Sequence, residues 1–316
     1  MSFDQELILA AISAYLIATL AFFNYLLSRA ELSRRIGIPF AMLGCAVQFF
    51  ELVYRGTTSH IWPLTNLYGS LSLFAAMSVL IFLGFSFRLG IWFMGGFVTA
   101  LAAAFLAYAL TWNEGYLPAV PALQSYWIKI HVPLVISAYA SFLVAFVSSL
   151  LYLIRYYGER ALAAATPGSI PGGDQAGPEL TQGAPRSIIV GDAPNLERAA
   201  ASGNALALWL ATLPTLAKLD IITYRIVSLG LPLLTLGIIT GAWWAKEAWG
   251  AYWQWDPKET AALVSWIVYA VYMHLHTRTS WRGLRSAWLS VLGFATIIFC
   301  YLGVNIWISG LHSYKM

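Results

Sequence analysis

The stretch Val132–Ile154, VPLVISAYASFLVAFVSSLLYLI, is twenty-three residues long and contains no charged side chain. About 20 consecutive apolar residues are needed for a helix to cross the hydrocarbon core of a bilayer. A backbone placed there must satisfy its own hydrogen bonds, so a run of this kind is predicted to be a membrane-spanning helix. Seven further runs read the same way. The expected spans are residues 7–27, 36–54, 64–87, 89–112, 132–154, 226–244, 261–277 and 287–308. The fold class expected is therefore an all-α polytopic membrane protein of about eight transmembrane helices in a single membrane domain over residues 1–316.

Composition supports this from outside the runs. Charged residues make up 10% of the chain and hydrophobic residues 59%. A soluble domain carries roughly a quarter charged residues, so there is too little charge here to cover a water-facing surface. The net charge of +4 comes from basic residues scattered through short connections, and no basic stripe suggests nucleic acid. Cys45 and Cys300 lie far apart inside apolar runs and read as small packing residues. There is no CxxCH, so the chain is not itself a c-type cytochrome. Met1–Glu6 has two acids and no Lys or Arg, so the first apolar run is expected to be retained as a span.

Lys and Arg in the connections set the expected orientation. Thirteen fall on one side and five on the other, which places both termini and the connection after the sixth span on the external face. Residues 158–205, rich in Gly, Pro, Ala and Ser, are expected to form a flexible cytoplasmic or stromal loop. Leu206–Leu219, with Pro214, reads as an apolar stretch lying along the membrane surface.

The external loop 243–260 reads WWAKEAWGAYWQWDPKET. Trp243, Trp244, Trp249, Trp253 and Trp255 fall within thirteen residues. Tryptophans at helix ends commonly form an interfacial belt. This density favours instead a platform for something flat and apolar. Trp249 and Trp253, four apart, are expected to share one face of a short external helix. Asp256, Pro257 and Glu259 stand at the N-cap, N1 and N3 positions of a helix start. Of the five histidines, His131 lies at the external end of the fifth span and His312 just beyond the eighth. His60 is in the first external loop, and His274 lies within the seventh span towards its cytoplasmic end. Two neutral imidazoles approaching from different helices are what a six-coordinate haem iron needs. His274 inside a span is a candidate site with a hydrogen bond to a neighbouring helix as its plain alternative. External Lys129, Lys246 and Lys258 are expected to pair with haem propionates.

Trp249-Gly250-x-x-Trp253-x-Trp255-Asp256-Pro257-Lys258-Glu259-Thr260 resembles the WWD signature of the CcsA/ResC family of system II cytochrome c biogenesis. The resemblance covers nearly the whole chain. Pro121–Ser125 followed by Ile130-His131-Val132 is similar to the stretch carrying one external haem-ligand histidine, and Gly303–Tyr314 to the stretch carrying the other, His312. Tyr272-Met273-His274 matches the histidine within the membrane. Two departures are visible. His60-Ile61-Trp62-Pro63 has one residue more between His and Pro than the family pattern, and His276 has no counterpart and reads as an interfacial residue.

The resemblance implies haem delivery across a bacterial plasma membrane or a cyanobacterial or chloroplast thylakoid membrane, with external periplasmic or lumenal presentation to apocytochrome c. The chain would be a subunit of a cytochrome c synthetase of the lyase type, with haem b as the species bound. His131 and His312 would be axial ligands, His274 part of an inner site, and Trp244, Trp249, Trp253, Trp255 and Asp256 the platform. A ResB/CcsB-type membrane partner and a thioredoxin-like thiol reductant are the associated proteins implied. A haem exporter or chaperone without ligation activity, and a b-type electron-transfer subunit, are the alternative readings.

Overall fold

The computed structural model describes residues 2–59, 66–112, 121–165, 196 and 203–308. Among them the regular structure is helical throughout. In chain order the helices are α1 (Phe3–Ser28), α2 (Glu31–Ser59), α3 (Leu67–Leu89), α4 (Gly95–Leu110), α5 (Ile128–Ala165), α6 (Ala205–Thr212), α7 (Leu216–Trp249), α8 (Pro257–His276), α9 (Leu284–Ile298) and α10 (Val304–Trp307). A π-turn, Phe299–Gly303, joins the last two.

Among the described residues, seven segments are long and apolar enough to cross a membrane. They correspond to all the expected spans but the seventh. That one forms as α8, 20 residues long, but opens on Pro-Lys-Glu-Thr and closes on His-Leu-His, so its ends are too polar to count among the seven. Several helices overrun the expected bounds. With 38 residues α5 is about 57 Å long, against roughly 30 Å of hydrocarbon. It extends through Ala165 and takes up the first eight residues expected to be loop. Leu210 lies against Gly158 there, and the Arg155 guanidinium is held by Glu159 at 2.6 Å and by the Leu213 carbonyl at 2.5 Å. The expected surface stretch 206–219 is likewise divided. Only α6 stands apart, and Thr215 caps a helix that runs unbroken from Leu216 to Trp249.

Three prolines, Pro39, Pro133 and Pro232, sit inside helices. Neighbouring helices and hydroxyl side chains make this tolerable in a bilayer. Glu51, the charge inside the second expected span, is fully buried on the inward face of α2 and accepts the Ser72 hydroxyl at 3.0 Å. Arg55, one turn on, lies 4.2 Å above the Tyr68 ring. Cys45 and Cys300 are both buried free thiols.

The interface that positions the site is α5 against α7, the most extensive in the bundle. Three glycines of α7 let it approach closely. A Cβ on Gly230 would lie 2.7 Å from the Phe142 ring, one on Gly237 2.6 Å from Val135, and one on Gly241 2.6 Å from His131. Small residues at helix contacts are the usual means of packing in lipid, where van der Waals fit replaces the hydrophobic drive. α8 joins this pair through Trp266, whose indole N–H donates to Thr235 at 2.8 Å, and through Tyr269, stacked on Phe142.

Candidate functional site

His131 stands one turn inside α5, and its ring lies over Gly241. Its Nδ1 is 2.7 Å from the Gly237 carbonyl oxygen, an acceptor, so Nδ1 carries the proton. In that tautomer Nε2 carries the lone pair, the atom a metal would take, and the hydrogen bond fixes both tautomer and ring orientation. The ring also stacks on Trp244, 5.9 Å away and 19° from parallel. Trp244 is buried and meets Trp249 edge-on at 4.7 Å. His131, Trp244 and Trp249 thus form one chain of contacts. Trp127, four residues before His131, packs at 4.7 Å on Trp243 and extends the aromatic end of the bundle.

One expected pairing of the tryptophans does not form. Trp249 and Trp253 do not share a helical face, because α7 ends at Trp249 and Gly250 closes it at φ 83 in the left-handed region. That ending suits glycine, which adopts positive φ without a Cβ penalty. Residues 250–256 then run as an irregular turn. Trp253 packs perpendicular to Trp255 at 5.7 Å, and Trp255 is 69% exposed with φ at 57. Such a φ is unusual for a large side chain and costs about 1–2 kcal/mol.

The turn is pinned by the residues that start α8. Asp256 caps the helix in a capping box with Glu259, as its position predicts. Glu259 does more than the box requires. Its Oε2 also accepts the Gln254 N–H at 2.9 Å, and the Gln254 amide donates to the Trp249 carbonyl at 3.3 Å. Two expected propionate partners are engaged within the chain. The Lys246 ammonium donates to the Gly250 carbonyl and the Lys258 ammonium to Asn305, both at 2.8 Å. Lys129 is exposed.

His274 lies in the last turn of α8, at the end of the bundle opposite the tryptophans, and is exposed. It shares a face with Val264, Ile267 and Val271, also exposed. His276, expected at the interface, is buried instead, with its Nε2 3.0 Å from Asp220. His60 and His312 lie outside the described residues.

Gly237, Gly241, Trp127 and Gln254 were missed by the sequence reading. Gly237 and Gly241 were signalled by their four-residue spacing in an apolar run, and Trp127 by its spacing from His131. Nothing local signals Gln254.

Residues 64–312 match the family model described as cytochrome C assembly protein. The chain belongs to that family. Among curated relatives, the cytochrome c biogenesis protein CcsA of Heterosigma akashiwo is 35% identical over 277 residues, covering 85% of this chain and 81% of that protein. CcsA of Cyanophora paradoxa is 31% identical and covers 95% and 94%. CcsA of Synechococcus elongatus is 36% identical and covers 80% and 79%. Among solved structures, the cytochrome c heme lyase CcmF aligns with a TM-score of 0.57 at 16% identity. That alignment takes in 94% of this chain and 46% of CcmF, and it bears on the fold alone. This cytochrome c assembly protein is thus a multi-pass membrane protein of cytochrome c biogenesis, a haem-handling process that requires partner proteins.

Proposed function

We propose that this chain presents haem b to apocytochrome c for covalent attachment at CxxCH, as the haem-holding subunit of a membrane-bound cytochrome c synthetase. The observation that carries the reading is His131. Its Nδ1 is bonded to the Gly237 carbonyl and its ring is backed by Trp244, which fixes the imidazole in the tautomer that binds iron through Nε2, beside a tryptophan-rich turn. A haem macrocycle is flat and apolar and needs both features.

In this account the tryptophan end is the external, periplasmic or lumenal face, as the Lys and Arg asymmetry argues. His131 and His312 hold haem there, and Trp249, Trp253 and Trp255 cover a face of it. Attachment adds each cysteine thiol across a haem vinyl group. A carbon–sulfur bond forms, the thiol proton passes to the other vinyl carbon, and no electrons are gained or lost. What the protein supplies is position. The apocytochrome histidine then displaces one of the two protein ligands, which releases the product. His274 points away from its own bundle, where an ionisable side chain facing lipid would be unfavourable. A ResB/CcsB-type partner covers that face of α8 and supplies a second ligand, forming the inner site through which haem arrives. A thioredoxin-like reductant keeps the CxxCH thiols reduced.

The test is reconstitution of the chain and its partner with haem and a reduced CxxCH apocytochrome. Covalent haem on the apocytochrome, lost when both its cysteines are serine and lost with His131→Ala, is the expected result. Covalent product formed equally well by the His131→Ala complex refutes the proposal.

A further inference from the structure

The end of α8 opposite the tryptophans carries two histidines that face opposite ways. His276 is 6% exposed, while His274, two residues earlier and so about 200° around the helix, is exposed. Asp220, in the second turn of α7, holds His276 inward. One carboxylate oxygen accepts from His276 Nε2 at 3.0 Å and the other accepts the Gly283 N–H at 3.1 Å. The His276 ring stacks against Tyr224 at 4.5 Å and against Tyr272 at 5.7 Å. Arg282 Nε donates to the His276 carbonyl at 3.0 Å. Gly283 has φ 84, and a Cβ there would lie 2.8 Å from the Tyr152 hydroxyl. Through one carboxylate, the start of α7, the end of α8 and the start of α9 are therefore fastened together.

We propose that Asp220 is a positioning residue for His274, which fixes the rotation of the last turn of α8 and decides which of the two histidines is offered to haem. The inference rests on the reading of His274 as an inner-site ligand. Both imidazoles are chemically competent ligands, and they are separated by a single residue. With Nε2 of His276 committed to Asp220, that histidine is withdrawn, and the helix geometry then turns His274 outward. Without the carboxylate, His276 loses its acceptor, the last turn loses its fastening to α7 and α9, and either histidine can approach the iron.

The experiment uses the full chain with its partner, in a His131→Ala background so that bound haem reports the inner site. Amide hydrogen exchange of residues 273–278 and haem binding with its ligation spectrum are both measured. Asp220→Ala and His276→Ala are expected to speed exchange in that segment. They are also expected to weaken inner haem binding by about 10–100-fold, the usual effect of removing a group that orients a ligand. His276→Gln, whose amide N–H still reaches Asp220, is expected to preserve both. In Asp220→Ala, adding His274→Ala is expected to leave residual haem through His276, which His274→Ala alone does not. Faster exchange with haem affinity and spectrum unchanged in Asp220→Ala makes the fastening purely structural and overturns the inference, while the inner-site reading stands. Full haem retention in His274→Ala overturns the inner-site reading and the inference with it.

Discussion

Gly241→Ala places a methyl group against the proposed ligand without altering any side chain that would contact haem. The new Cβ would lie 2.6 Å from His131 Cε1 and 2.7 Å from Nδ1. Ordinary carbon contacts need roughly 3.5–4 Å, so the ring must withdraw by about 1 Å. The hydrogen bond from Nδ1 to the Gly237 carbonyl, now 2.7 Å, would then stretch to about 3.7 Å and cease to exist. Its loss costs about 1 kcal/mol, with about 1–3 kcal/mol more from overpacking. The fold should survive this. The iron ligand loses its fixed tautomer and bearing, and haem affinity should fall about 10–100-fold. Gly230→Ala makes a similar clash with Phe142 in the same interface, eleven residues or about 16 Å away along α7. It should lower thermal stability comparably while leaving haem affinity per folded protein intact. Haem titration of both variants in nanodiscs, alongside thermal unfolding, makes the comparison. Equal haem affinity in the two variants would refute the argument that α7 orients His131 through its glycines.

Other expectations concern the tryptophan turn. Trp255→Gly relieves a left-handed conformation that costs about 1–2 kcal/mol, less about 0.5–1 kcal/mol for the freedom of glycine in the unfolded chain. Unfolding temperature should hold or rise slightly while haem retention falls, and a rise in both would show that the strain serves no haem contact. Trp253→Ala should weaken haem binding by about two decades if a ring worth about 3 kcal/mol is covered by haem, with Trp253→Phe recovering most of it. Equal titration curves for Trp253→Ala and the parent would reduce the tryptophans to an interfacial belt. Asp256→Ala removes the cap of α8 and should destabilise the protein by about 0.5–2 kcal/mol by thermal unfolding in micelles.

The bilayer explains why so much of this fold was legible. Long uncharged runs have one permitted backbone state in lipid, so Val132–Ile154 could hardly be other than helix, and the Asp256–Pro257–Glu259 start is written in local capping chemistry. What failed was local only in appearance. Gly250 stands directly after Trp249 and signals a left-handed helix end, yet the four-residue spacing of Trp249 and Trp253 suggested a helix continuing across it. The burial of His276 depends on Asp220, fifty-six residues upstream on another helix. No pattern within α8 distinguishes it from His274. Lys258 was expected to pair with a haem propionate for the same reason, since its partner Asn305 belongs to the last helix.

The central claim, that histidines at the tryptophan end hold haem through the iron, is tested most directly by absorption spectra of the haem-loaded protein with His131→Ala and with His312→Ala. The account predicts that each variant loses the six-coordinate low-spin spectrum and much of its haem, and that added imidazole restores both by filling the empty position. Parent-like spectra and haem content in both variants, with no response to imidazole, would contradict it.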